Sequence, residues 1–542
     1  MTWSQTYLLF GRGLGFSALL AATPIFTLLI LLGIFRKPAW LAGICGLAVA
    51  FALAIGAYHM PAVTAASAAL HGAAFGLFPI CWIVFWAIAL FRVTEVTGKF
   101  EIIKQSVGRL TPDRRLQALL IAFAFGAFLE GAAGFGTPVA IAATMLTGLG
   151  LTAFNAAAIC LLANTSPVAF GSIGIPIVTL AGTTGLALEK LSAAVGSLVA
   201  PVSLILPVYL IVAMWGVRSL RSGIWLPAAV SGFAFASVQF LVSHYIGPQL
   251  TDILASMTAM GALVVLLRLR HPAVDKASEW AQTKGAEPMY SASEVIYAWL
   301  PYGLLVVCVL LWGYKPVQTL LNSASVRIPW PLLHNVVRRM PPIVVHAAPY
   351  PAIFNLNWFA ASGTACMTAT ILSAICLRMS ARKFLRTLFS VLHSLLLPIA
   401  TITSVLAIAF LMNYCGATAT LGLGFSATGV MFPFFSAGLG WLGVFLTGSD
   451  TAANALFGSL QVVTASRLGL DPVLMAATNS AGGVMGKMIS LQTIAVAAAA
   501  TGMPVAEQSE LFRFTLKHSL LLACVVGGLA LLYVYVFHLR WA

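Results

Sequence analysis

Runs of about 20 consecutive apolar residues, the length a helix needs to cross a bilayer, recur from one end of this chain to the other and are closed by short cationic clusters. Barrel strands would instead alternate polar and apolar residues over segments of about 10 residues. The runs therefore predict an all-α polytopic membrane protein of about 12 to 14 transmembrane helices. Composition agrees. Soluble domains carry about 25% charged residues, whereas Asp, Glu, Lys and Arg make up 8% of this chain. No long soluble segment interrupts the runs, so 1–542 reads as a single transmembrane domain. Its halves, roughly 1–290 and 295–542, read as pseudo-repeats.

The first run, Leu14–Phe35, closes on Arg36, Lys37 and Pro38. It lacks a small-residue cleavage site and reads as a membrane helix rather than a removed leader. Ala193–Trp215 reads as a later span, preceded by a loop pair, Glu189-Lys190. Phe354–Leu377 reads as a span returning inward, and the Pro-rich segment Lys315–Ala352 as an outside loop packed onto the protein. The densest cationic stretch, Arg92 to Arg115, contains Phe100, Ile103, Val107 and Leu110 at helical spacing, an amphipathic surface helix ending before Pro112. Arg92 and Glu95, one turn apart, form an interfacial pair. By the positive-inside rule this stretch, Arg36-Lys37 and the polar loop 268–294 face the cytoplasm, and the N-terminus faces outward.

The net charge of +15 resides in such loops. No basic stripe with interleaved aromatics is present, so nucleic acid is excluded as a partner. The eight cysteines are scattered without a C-x-x-C pair and read as small hydrophobes. The nine histidines stand mostly at run ends, as interfacial groups. No G-x-x-x-x-G-K-[ST], H-E-x-x-H or G-x-S-x-G occurs. The chain therefore shows no catalytic residues, no metal site, no cofactor and no attached ATPase of the usual kind. Any uphill transport must draw on an ion gradient or a partner. A homodimer is compatible with the sequence.

Two stretches depart from plain spanning helices: Phe125–Ile177 and its echo Phe445–Ile494. Each sets a carboxylate, Glu130 or Asp450, within an apolar run. Each then carries small residues, a Leu-Gly-Leu step (149–151, 468–470) and an asparagine followed by hydroxyls: Asn164-Thr165-Ser166-Pro167 and Asn479-Ser480-Ala481-Gly482-Gly483. Gly126, Gly131, Gly134, Gly136, Pro138, Gly148 and Gly150 crowd the first. Such glycines fit close helix packing as well as a broken helix. In lipid, non-helical backbone survives only where protein or water covers it. A mid-membrane ionisable group costs at least roughly 2.5–3.5 kcal/mol, so it must face a cavity or a partner. Paired broken segments in two halves point to a transporter's binding site, and half-helix N-termini there suit an anion. Asp450 also fits a cap for the helix starting at Thr451. Lys487 has two readings: a partner for Asp450 or Glu130, or a direct contact for a substrate carboxylate. A proton is the simplest coupling ion, since a buried carboxyl group can bind one near neutral pH.

Four segments carry a family resemblance: Glu130 to Ala140 (EGAAGFGTPVA), Ala163 to Gly171 (ANTSPVAFG), Thr447 to Thr451 (TGSDT) and Asn479 to Ser490 (NSAGGVMGKMIS). With Phe354-Asn355-Leu356-Asn357-Trp358 they resemble the bacterial lactate permease family, over nearly the whole chain. The resemblance implies an inner-membrane importer of L-lactate, D-lactate and glycolate driven by proton entry, with inverted repeats, hairpins and elevator-like motion. Ala452-Ala453 and Leu491 depart from the family pattern. Glu130 and Asp450 are then the proton-coupling candidates. Lys487, Asn164, Thr165, Ser166, Asn479 and Ser480 are candidates for the substrate carboxylate and hydroxyl, because Asn and Ser/Thr supply both donors and acceptors. The alternatives are a permease for another small organic anion, such as a short carboxylate or a sulfonate, a channel, and a membrane-embedded enzyme, which would need a catalytic cluster that the sequence lacks.

Overall fold

In hydrocarbon every backbone N–H and C=O must be satisfied within its own segment, and the apolar runs accordingly become helices. The computed structural model of the chain describes residues 2–108, 110–111, 113–134, 137–269 and 290–541. Among them, ten helices are long and apolar enough to cross a membrane, and three bent helix pairs raise the total to as many as thirteen. That total lies within the expected range. The bends, of 44°, 65° and 42°, interrupt residues 14–34, 153–184 and 472–501.

Several expected boundaries move. Leu14–Phe35 is not one helix but the bent pair Leu14–Ala21 and Thr23–Ile34, interrupted just before Pro24. The span expected from Ala193 begins at Leu188, so Glu189 and Lys190 form its exposed first turn, not a loop. Phe354–Leu377 is mostly not a span: its first residues are strand and its helix, Ser362–Cys376, has 15 residues. The amphipathic surface helix is Lys99–Gly108, with Phe100, Ile103 and Val107 buried. Its expected end at Pro112, and most of the polar loop 268–294, lie outside the described residues. Arg92 and Glu95 do pair, at 2.5 Å.

The Pro-rich segment carries small sheets. Strand β1 (Trp3–Ser4) runs parallel to β3 (Val337–Arg339), which pairs antiparallel with β4 (Ala348–Pro349). Strand β2 (Val326–Pro329) pairs antiparallel with β5 (Ile353–Leu356), with Val326 opposite Leu356. The segment is pinned to the helix Ala62–Val96. Ser67 Oγ donates to the Pro331 carbonyl at 2.5 Å, and Trp330 Nε1 donates to the Ser67 carbonyl at 2.9 Å. His71 is the exception among the histidines. It is buried and stacks on Trp330 with ring centroids 4.9 Å apart.

Nine helices build the centre. In the first half these are α1 (Arg114–Ala132), α2 (Thr137–Gly148), α3 (Ala153–Ala163), α4 (Gly171–Thr184) and α5 (Thr251–Leu269). In the second half they are α6 (Phe432–Thr447), α7 (Asp450–Leu468), α8 (Pro472–Gly486) and α9 (Leu491–Thr501). Helices α6 and α8 approach backbone to backbone. A Cβ on Gly440 would stand 1.8 Å from the Asn479 carbonyl oxygen, and one on Gly482 would stand 2.2 Å from that of Ala437. These glycines therefore serve close packing.

Candidate functional site

The broken segments of both halves meet. In the first half, α3 stops at Asn164. After a short turn at Val168–Phe170, the chain passes through left-handed backbone at Ser172 (φ 48°), Ile173 (φ 60°) and Gly174 (φ 75°). Left-handed geometry costs an L-residue roughly 1–2 kcal/mol, so tertiary contacts must hold it. Ser172 Oγ donates to the Ala133 carbonyl at 3.1 Å, tying this break to the end of α1. A Cβ on Gly174 would lie 2.8 Å from Pro248. In the second half, α6 ends at Gly448 (φ 72°) and α7 is capped by Ser449, whose side chain accepts from the Ala452 N–H. The cap is therefore Ser449 and not Asp450, whose carboxyl is free to turn inward. Helix α8 gives way at Lys487, and Ser490 caps α9 by accepting from the Thr493 N–H at 3.1 Å.

Three ionisable groups named from the sequence come together. Lys487 Nζ lies 2.9 Å from Glu130 Oε1, an ion pair joining the two halves, both members buried. Asp450 Oδ2 accepts from Ser480 Oγ at 2.6 Å and from Asn454 Nδ2 at 3.1 Å. The remaining carboxylate oxygens, Glu130 Oε2 and Asp450 Oδ1, are buried without a protein hydrogen-bond partner. All three groups border one cavity of about 290 Å³. That is just below the roughly 300–1,000 Å³ of typical ligand sites, a size for a small ligand. The first regular residues of α4, after its left-handed break, and of α7 and α9 also reach its wall, at Ile175, Thr451 and Gln492. Helix N-termini present unpaired N–H groups and partial positive charge, so the cavity favours an anion.

The other candidates stand back from the wall. Thr165 Oγ1 donates to its own helix at the Leu162 carbonyl, 2.7 Å away, and the Ser166 carbonyl accepts from Gln239 Nε2 at 3.0 Å. Asn164 is buried beside them. Asn479 Oδ1 accepts from Gln461 Nε2 at 3.1 Å, and Asn479 Nδ2 donates to Asn454 Oδ1 at 2.9 Å. Ser480 lies behind Asp450 and orients it. Asn454 also donates to the Pro176 carbonyl at 3.2 Å, linking Asp450 to α4. Asn454 and Gln461 escaped the sequence reading. Their spacing from Asp450, four and eleven residues, puts all three on one face of α7, and a polar stripe on an apolar helix was the available signal. Phe135 and Gly136 of the glycine-rich motif lie outside the described residues.

The L-lactate permease family model matches residues 17–537. The chain belongs to the L-lactate permease family. This permease is 43% identical over 556 residues to a glycolate permease of Escherichia coli (strain K12), covering 99% of each chain. It is 43% identical to an L-lactate permease of Bacillus subtilis (strain 168), covering 97% of this chain and 98% of that one. It is 41% identical to an L-lactate permease of Escherichia coli (strain K12), covering 99% of both. With its family and its run of spanning helices, the permease is a multi-pass protein of the bacterial inner membrane.

Proposed function

We propose that the chain imports L-lactate, with D-lactate and glycolate as further substrates, by proton symport. Full-length relatives named for L-lactate and for glycolate support the substrate class. The observation that carries the reading is the cavity between the halves, where one ammonium, two carboxyl groups and three helix N-termini converge. A monocarboxylate entering it competes with Glu130 for the Lys487 ammonium, and the helix ends offer further N–H donors. Asp450, with Ser449 and Thr451 close by on the wall, accepts from or donates to the 2-hydroxyl. Displacing Glu130 from Lys487 ties the carboxyl's charge to substrate binding, which is the link proton symport needs.

The test is labelled L-lactate uptake in a transport-null strain, with and without a protonophore. Accumulation that collapses with the protonophore and is competed by D-lactate and glycolate is the expected result. No uptake by protein shown to be in the membrane would reject lactate. Glu130→Gln is expected to remove protonophore-sensitive accumulation, and unchanged accumulation would reject its coupling role. Ser480→Ala deletes a hydrogen bond to a carboxylate worth about 1.5–3 kcal/mol, so uptake should fall about tenfold or more. Uptake equal to wild type at equal expression would show that Ser480 does not orient Asp450. A second reading, a bulkier short organic anion, rests on one observation. Ala452, one of the departures from the family pattern, lines a small apolar annex of about 50 Å³ that shares Ser449 and Thr451 with the main cavity. Competition by 2-hydroxybutyrate stronger than by lactate would favour it.

A further inference from the structure

A third carboxyl group lies beside this site. Asp252, in the first turn of α5, is 1% exposed, and neither of its carboxyl oxygens has a protein hydrogen-bond partner. It packs on α1 where Gly131 follows Glu130. A Cβ at Gly131 would stand 2.7 Å from that of Asp252, so only glycine allows this approach. Helix α5 packs against α1, α4 and the helix Trp225–Tyr245. On α1 the titratable group at this level is Glu130, with Arg114 and Arg115 at the opposite end; α4 carries no titratable side chain. On Trp225–Tyr245, Tyr245 is exposed, and His244 is engaged with Ser197 Oγ at 3.2 Å and the Phe240 carbonyl at 2.7 Å. Among the described residues, Asp252 therefore has a carboxyl neighbour and no cation of its own, because Lys487 is taken by Glu130.

Charge counting sharpens the point. Around the site the buried ionisable groups among the described residues are Glu130, Asp252, Asp450 and Lys487. Fully ionised, three carboxylates and one ammonium leave a net charge of −2, and a bound monocarboxylate makes it −3. Buried charge of one sign without partners is not sustained. A first-turn aspartate does favour a helix dipole, but that role leaves its carboxylate solvated or hydrogen-bonded, and Asp252 is neither.

We propose that Asp252 holds a co-transported proton, adjacent to the Glu130–Lys487 pair. One O–H bond forms at Asp252 from an outside proton as the substrate anion binds, and it breaks on the cytoplasmic side as both leave. This rests on the symport reading above.

The test separates accumulation from exchange. Asp252→Asn keeps the shape and loses the titration. One proton entering with one monocarboxylate moves no net charge, so each pH unit of gradient supports about tenfold accumulation. D252N is expected to lose that accumulation while preloaded cells or vesicles still exchange labelled for unlabelled lactate at close to the wild-type rate. Protonophore-sensitive accumulation by D252N at wild-type level overturns the proposal, as does loss of exchange and accumulation together in protein present in the membrane. If D252N does not reach the membrane, Asp252→Glu decides: a displaced pH profile of uptake supports the proposal, and an unchanged one overturns it. Wild-type protein that exchanges lactate without protonophore-sensitive accumulation would instead sink the symport reading itself, whatever the variants do.

Discussion

Lys487→Met is expected to destabilise the folded protein by about 3–5 kcal/mol, the cost of removing one member of a buried pair, and to abolish uptake. The substitution keeps an unbranched apolar stem as far as the ε position and removes the ammonium. It leaves the Glu130 carboxylate, 3% exposed at the side chain, in a protein interior without its counter-charge. Among the described residues it also removes the one ammonium on the cavity wall. Combining it with Glu130→Gln removes the stranded charge, so the double variant should recover most of the lost stability but none of the coupled uptake. Thermal unfolding of the detergent-purified proteins measures the first effect and labelled uptake the second. A double variant no more stable than K487M alone would show that the two side chains do not depend on each other.

Gly440→Ala is the second large effect. Its new methyl would lie 1.8 Å from the Asn479 carbonyl oxygen. The obstacle is backbone, so no side chain can swing aside and α6 must move away from α8. Overpacking of this kind costs about 1–3 kcal/mol or more. The movement would also reach function, because Asn479 belongs to the network that fixes Asn454 and, through it, Asp450. G440A should lower the unfolding temperature and the membrane abundance together. Gly482→Ala acts on the same helix contact, so the double variant should cost less than the two effects added. Full additivity would mean that the two glycines relieve separate contacts.

Glu130, Asp450 and Lys487 were legible because a charge inside an apolar run is expensive and stands out against its neighbours. That economy says nothing about which charges meet. The pairing of Lys487 with Glu130, 357 residues apart, depends on how the halves dock. The amides and hydroxyls were harder. Asn164 and Asn479 look alike in sequence, yet Asn479 is consumed in a network with Asn454 and Gln461, while Asn164 ends a helix away from the cavity wall. A polar side chain advertises hydrogen bonds, not the identity of its partner. Asp252 was missed for a plainer reason. It opens an apolar run, where a carboxylate normally reads as interfacial, and only the approach of Gly131 shows that it is enclosed. The bends within 153–184 and 472–501 were better marked, since proline and glycine break a helix locally whatever surrounds them, whereas the one before Pro24 was read as part of a single span.

The short ladder between β1 and β3 fixes a parity. Trp3 and Gln5 donate to the carbonyls of Val336 and Arg338, both at 2.9 Å. Open sheet edges do not occur in hydrocarbon, so both strands lie beyond the lipid on one face, and the chain between them must cross an even number of times. Among the described residues, seven long apolar helices and two bent pairs stand between the strands, nine in all. Nine is odd. Evenness requires that one of these segments enter and leave by the same face, a form open to α1 followed by α2 and to the bent pair in residues 153–184. Either one carries part of the cavity wall, Glu130 or Gly171 and Ser172, so a substrate pausing there would stand at the closed end of a hairpin.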